Sequence, residues 1–123
     1  MVIVGTKINS FDNSGIRLIN CIKVLGSHKK KIGTVGDKII VSIRKAISKS
    51  KVKNHEVHSA IIVRINRPYH RKLGTILKFN SNVAIVLDKK KNAPVPTRLY
   101  GPILYELRRK KFLKLLTIAH TII

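Results

Sequence analysis

The sequence predicts a mainly β fold, a small barrel with helical structure confined to the C-terminal end. Three observations carry this reading. Five or six short runs rich in β-branched residues are separated by turn chemistry at spacings typical of barrels. Ala60-Ile61-Ile62-Val63, inside residues 57–65, is a continuous apolar run, as in a strand buried on both faces at the centre of a small barrel. Finally, Gly101-Pro102 precedes apolar residues at helical spacing, Ile103, Leu104 and Leu107, so a helix is expected to begin at Pro102, whose ring presets a helical φ.

In chain order, residues 2–8 alternate loosely and read as the first strand. Asp12-Asn13-Ser14-Gly15 is a turn, in which Asp or Asn bonds its own backbone and Gly takes a positive φ. Residues 16–25 form the next strand, closed by Gly26-Ser27 and the cluster His28-Lys29-Lys30-Lys31. Gly33-Thr34-Val35-Gly36-Asp37 is again turn chemistry, and residues 38–44 are a β-branched strand. Residues 46–54, with Lys49, Lys51 and Lys53, read as a polar loop. Residues 64–78 carry Arg67, His70, Arg71 and Lys72 and read as a basic β-hairpin, since Pro68 suits an edge rather than a central strand. Residues 83–87 are a further core strand. Asp88 to Asn92 turn the chain, and Pro94 and Pro96 hold an extended approach to the C-terminal segment. The whole is read as one domain, a barrel over about 1–95 followed by a helical region over about 96–123.

Charge is the strongest compositional signal. The 123 residues carry 26 Lys and Arg against 5 acids, a formal net charge of +21. That far exceeds the magnitude of roughly 2–8 that suffices to keep a small domain soluble. Such a charge repels itself unless a polyanion neutralises it, and it steers the molecule toward one. With 44% hydrophobic residues the chain can still build a core, so the charge sits on a folded object rather than a disordered basic tail.

Cys21 is the sole cysteine, which excludes an internal disulfide and suits a buried thiol within a strand. No run reaches the roughly 18 apolar residues of a membrane helix. The start Met1-Val2-Ile3-Val4-Gly5 is too short and uncharged for a secretory signal. Catalysis is not expected: Asp12, Asp37, Glu56, Asp88 and Glu106 are dispersed and mostly at turns, whereas metal-dependent phosphoryl chemistry needs clustered carboxylates. His55 and His58 sit at a strand entrance with no Cys or acidic cluster nearby to complete a zinc site, so neither metal nor cofactor is expected.

The basic segments have bland and sharp readings. Lys29-Lys30-Lys31 is a solvated loop, an imitation of a nuclear-localisation signal, or a phosphate contact. The C-terminal segment with Arg108, Arg109, Lys110, Lys111 and Lys114 is an amphipathic helix capping the core, a face for polyphosphate, or a membrane-surface segment. Composition favours phosphate. The candidates for it are Lys29, Lys30, Lys31, Arg44, Lys49, Lys51, Lys53, Arg64, Arg67, Arg71 and Lys72. The alternative to a partner of folded RNA is a free small-barrel module that coats single strands, but such modules need aromatic platforms. Three Phe, three Tyr and no Trp, with Phe79 and Phe112 in apolar contexts, count against it.

Several stretches, taken together and in order, resemble the universal large-subunit ribosomal protein fourteen family. They are Asp12-Asn13-Ser14-Gly15, Cys21-Ile22-Lys23-Val24-Leu25-Gly26, Val35-Gly36-Asp37, Ala60-Ile61-Ile62-Val63-Arg64, Phe79 with Asn82, Thr97-Arg98, Gly101-Pro102, Glu106-Leu107-Arg108 and Lys111-Phe112. The match runs nearly end to end without large insertions. It implies a closed five-stranded β-barrel, a protruding β-hairpin and short C-terminal helices. It also implies large-subunit ribosomal RNA as the main ligand, with small-subunit RNA met at an intersubunit bridge. A neighbouring large-subunit protein, number nineteen, packs alongside in bacteria. A ribosome-silencing factor docks on the C-terminal side, at positions that match Thr97, Arg98 and the region near Lys114; Arg98, Arg108 and Lys114 are the candidates for a subunit or factor interface. The sequence departs from the family at Leu73, where Asp or Asn usually precedes the hairpin glycine, and at Tyr105, usually arginine. It also lacks the acids common at Lys45, Arg109 and Thr121. This divergence points to a mitochondrial ribosome, with a plastid or bacterial one as the alternative.

Overall fold

The computed structural model describes residues 2–110 and 112–123. Strand β1 (Lys7–Asn9) turns back into β2 (Ile16–Val24), which is followed by β3 (Lys38–Ala46) and β4 (Val57–Arg64). A two-stranded hairpin, β5 (Tyr69–His70) with β6 (Ile76–Leu77), leaves the body before β7 (Val83–Val86) returns to it. Then come β8 (Leu99–Ile103), a 3-10 turn at Tyr105–Leu107, helix α1 (Leu113–Ile118) and β9 (Ala119–Ile122).

Strands β1-β2-β3-β4-β7 close into a five-stranded barrel, as the resemblance implied. Neighbours are antiparallel except at the closure, where Asn9 of β1 pairs in parallel with Val83 of β7. Closure leaves no open sheet edge in the body. Ile39, Val41 and Ile43 alternate into the interior along β3, the period-2 pattern of a strand. Along β2 the buried positions are Ile16, Ile19, Cys21 and Val24, because register shifts near Leu18 and between Cys21 and Lys23 add residues to one side of the ladder. Cys21 is indeed a packed thiol, and burial pushes it up from the ordinary thiol range.

The run Ala60-Ile61-Ile62-Val63 is buried throughout, as predicted. In the register of β4 with β7, Ala60 faces Val86 and Ile61 faces Ile85, so the two faces alternate between the interior and the outer side. That outer side is covered by the C-terminal segment: Ile61 and Leu87 share a groove with Phe112 and Leu115, and Leu104, Leu107 and Leu115 belong to the same buried cluster.

Two expectations need correction. The first strand begins at Lys7 rather than Val2, because the Thr6 amide donates to the Ile3 carbonyl (3.1 Å) in a tight turn, while Val2 makes an isolated bridge with Gly33. No helix begins at Pro102. Gly101 has φ +82°, outside helical space, and Gly101-Pro102 lies inside β8. Helical structure is reduced to the 3-10 turn and α1, with Lys111, assigned above to a helical face, outside the described residues. The reason is β9, which pairs in parallel with β8 (Leu99 with Ala119, Ile103 with Ile122). Parallel neighbours need a long crossover, and the intervening chain with α1 provides it.

Candidate nucleic-acid interface

The turn Asp12-Asn13-Ser14-Gly15 does more than reverse the chain. Asp12 accepts from the Ser10 hydroxyl (2.7 Å) and the Ser14 amide (2.9 Å), which preorganises the turn. The Asn13 carboxamide oxygen then accepts from the amides of Thr97 and Arg98 (3.0 Å each), and its nitrogen donates to the Thr97 hydroxyl (2.6 Å). The loop after β3 docks on the same turn: the Ile47 amide donates to the Gly15 carbonyl (2.9 Å) and the Ser50 hydroxyl to the Ser14 carbonyl (2.8 Å). Lys49 and Lys51 thereby line one cleft with Asn13 and Thr97. Two groups of candidates far apart in sequence are thus brought together. Lys53 lies exposed in the same loop, and Arg44 is exposed near the end of β3.

Lys29, Lys30 and Lys31 occupy the loop after β2, and Asp37 fastens it. Its carboxylate accepts from the Thr34 amide (2.7 Å), the Thr34 hydroxyl (2.9 Å) and the Lys30 ammonium (2.7 Å), with Lys110 at 3.7 Å. Burial alone would raise the Asp37 carboxyl, but Lys30, Thr34 and Lys110 together outweigh it and hold the group below the usual carboxylate range. Lys30 is therefore an internal post that presents exposed Lys29 and Lys31. Lys110 also donates to the Val35 carbonyl (2.8 Å), tying the chain after the 3-10 turn to this loop.

Arg64 and Arg71 are likewise anchored. The Arg64 guanidinium donates to the Tyr100 carbonyl (3.1 Å) and lies 5.5 Å from the centre of the Phe11 ring, a cation–π contact. Burial lowers its proton affinity below that of a free guanidinium. A methyl group at Gly101 would come within 2.5 Å of Arg64 Nη1, so glycine serves both the positive φ and this seat. Where β5 passes into the turn of the hairpin, Arg71 pairs with Glu106 (Nε to Oε1 2.8 Å, Nη2 donating to Oε2 at 3.2 Å) and donates to the Ile123 carbonyl. The hairpin beyond it is exposed, with Lys72, Gly74 at φ +87° and Leu73 at its tip, the last 96% exposed. Arg67 is exposed where the chain enters the hairpin.

Of the interface candidates, Thr97 and Arg98 are clamped by Asn13 with exposed side chains. Arg108 donates to the Tyr105 hydroxyl (3.2 Å) and lies over its ring at 5.9 Å, so the departure at Tyr105 supplies a platform for this arginine. Lys114 on α1 lines a groove with Lys38 and Lys110.

His58 is buried against Glu56 (2.8 Å), whose carboxyl it holds below the ordinary range, and His55 sits in a turn at φ +67°. Among the described residues no three His, Cys, Asp or Glu side chains converge on a metal position, and no helix is long and apolar enough to cross a membrane. The sequence shows Asn13 and Asp37 only as turn residues and Lys110 only as part of a cationic segment; the segments they hold together are not visible in it.

A barrel with this hairpin, this clamp and this cation display matches a family model throughout its length: the model described as Ribosomal protein L14p/L23e covers residues 1–123. The chain belongs to the ribosomal protein L14p/L23e family. Members are structural proteins of the large ribosomal subunit, and this L14p/L23e chain is accordingly a ribosomal protein of the translation machinery. The L14p/L23e family is generally one of structural proteins rather than enzymes.

Proposed function

We propose that this protein binds folded large-subunit ribosomal RNA and contributes its C-terminal side to an intersubunit bridge. One observation carries the reading: every acid is already held by an internal partner. Asp12 is held by Ser10 and Ser14, Asp37 by Lys30, Glu56 by His58, Asp88 by the Lys90 amide and Glu106 by Arg71. The surface is left with a large cation excess that internal pairing does not relieve. Lys29, Lys31, Arg44, Lys49, Lys51, Lys53, Arg67 and Lys72 make the phosphate contacts; Lys30 and Arg71 hold the presenting loops in place, and Arg64 does both from its seat beside Phe11 and Tyr100. Such contacts displace condensed counterions and position RNA without reading its sequence.

Thr97, Arg98, Arg108 and Lys114 form the side that meets the small subunit or a silencing factor. This rests on their resemblance to family positions and on the Asn13 clamp, which gives Thr97 and Arg98 a preset backbone. A neighbouring large-subunit protein nineteen packs alongside. The departures at Leu73 and Tyr105 support a mitochondrial ribosome.

Sedimentation of cell and organelle extracts, with and without magnesium depletion, tests this. One copy per large subunit, retained in magnesium and released as particles unfold, is the expected result. Recovery of the protein only in ribosome-free fractions would refute it.

A further inference from the structure

We propose that the groove between Phe11, Phe79 and Tyr100 is a stacking site for one unpaired RNA base, with Arg64 and Lys78 supplying its positive rim. The inference rests on the RNA-binding reading above and adds to it a position and a ligand chemistry. The chain has six Phe and Tyr side chains in all, and three of them line this one groove of about 390 Å³. They arrive from three separate stretches: Phe11 follows β1, Phe79 follows the hairpin, and Tyr100 belongs to β8. The Tyr100 amide donates to the Phe11 carbonyl (2.9 Å), which holds those two backbones side by side.

Phe79 packs partly against the core, but Phe11 is 45% and Tyr100 54% exposed. Two large rings left half in water beside a third, on so cationic a molecule, suit a flat anionic-backbone ligand. A base offers a π-face to the rings, and its phosphates meet the cations. The Arg64 guanidinium is already oriented for this, hydrogen-bonded to the Tyr100 carbonyl and resting over Phe11. One groove, rather than a row of platforms, fits a single base extruded from folded RNA and not a continuous single strand.

The test uses the full-length protein and two RNA hairpins, one fully paired and one identical but for a single bulged 4-thiouridine. By fluorescence anisotropy, the bulged hairpin is expected to bind more tightly, by roughly five- to hundredfold for one stacked base. Phe11→Leu combined with Tyr100→Leu is expected to abolish the preference for the bulged hairpin over the paired one. Photocrosslinking of the unaltered protein, which does not depend on how the variant folds, is expected to place the bulged nucleotide on Phe11 or Tyr100. Equal affinity for both hairpins, or crosslinks confined to the lysine loops, overturns the stacking site and leaves the RNA-binding reading standing. Absence of binding to either hairpin at low salt overturns both.

Discussion

Asp37 has two cations and a turn amide directed at one carboxylate, so its protonation state is coupled to the fold. Its folded-state pKa lies below the ordinary value of about 3.9. The stability this carboxylate contributes is therefore complete above that value and is lost as pH falls through the folded-state pKa. Asp37→Asn is expected to melt at lower temperature than the parent at neutral pH, and the gap should close on acidification below the usual carboxylate range. A gap that stays constant down to strongly acidic pH would assign the effect to hydrogen bonding alone. Arg64 and Gly101 show a similar local dependence, since the guanidinium seat exists only where the backbone carries no Cβ.

The hairpin β5–β6 has two residues in each strand, too few for independent stability. Tyr69 and Leu77 pack against the core, and the Arg71–Glu106 pair fastens the hairpin further while also holding the C-terminal strand through the Ile123 carbonyl. Both side chains are mostly buried, at 24% and 23% exposed, so removing one strands the other. Arg71→Met should destabilise the protein by about 1–3 kcal/mol. Amide exchange should accelerate in the hairpin and in β9, while β2, β3 and β4 keep their protection. Uniform acceleration throughout the barrel would show that the hairpin unfolds only with the body. α1 belongs to the same set of dependent elements: at six residues it is too short to persist alone, and Leu115 fastens it to the core.

For the molecule as a whole, self-repulsion and ligand affinity have one origin, the formal charge of +21. Without RNA, added salt should raise the melting temperature by screening cation–cation repulsion. With RNA the same salt should weaken binding. If six to ten phosphates are engaged, affinity falls by roughly 10³–10⁵-fold between about 50 and 200 mM salt. Melting curves and anisotropy titrations over the same salt series test both signs. A melting temperature that falls with salt would mean that attractive surface pairs outweigh the repulsion.

Much of this architecture can be read from the linear chain. The β-branched runs, their turn residues and the doubly buried Ala60-Ile61-Ile62-Val63 announce a small barrel, because strand periodicity and turn chemistry are properties of neighbours. The cation excess names the class of partner for a similar reason, since charge adds up whatever the fold. The C-terminal segment departs from its helical spacing because the spacing after Gly101-Pro102 is a local pattern, whereas pairing with Ala119–Ile122 is not. The same limit hid the clamp from Asn13 to Thr97, 84 residues away, and the gathering of Phe11, Phe79 and Tyr100 around one groove. Nor can a string of lysines and arginines say which of them turn inward. Lys30 finds Asp37 within a single loop, whereas Arg71 and Lys110 meet their acids only after the fold has brought distant segments within hydrogen-bond reach.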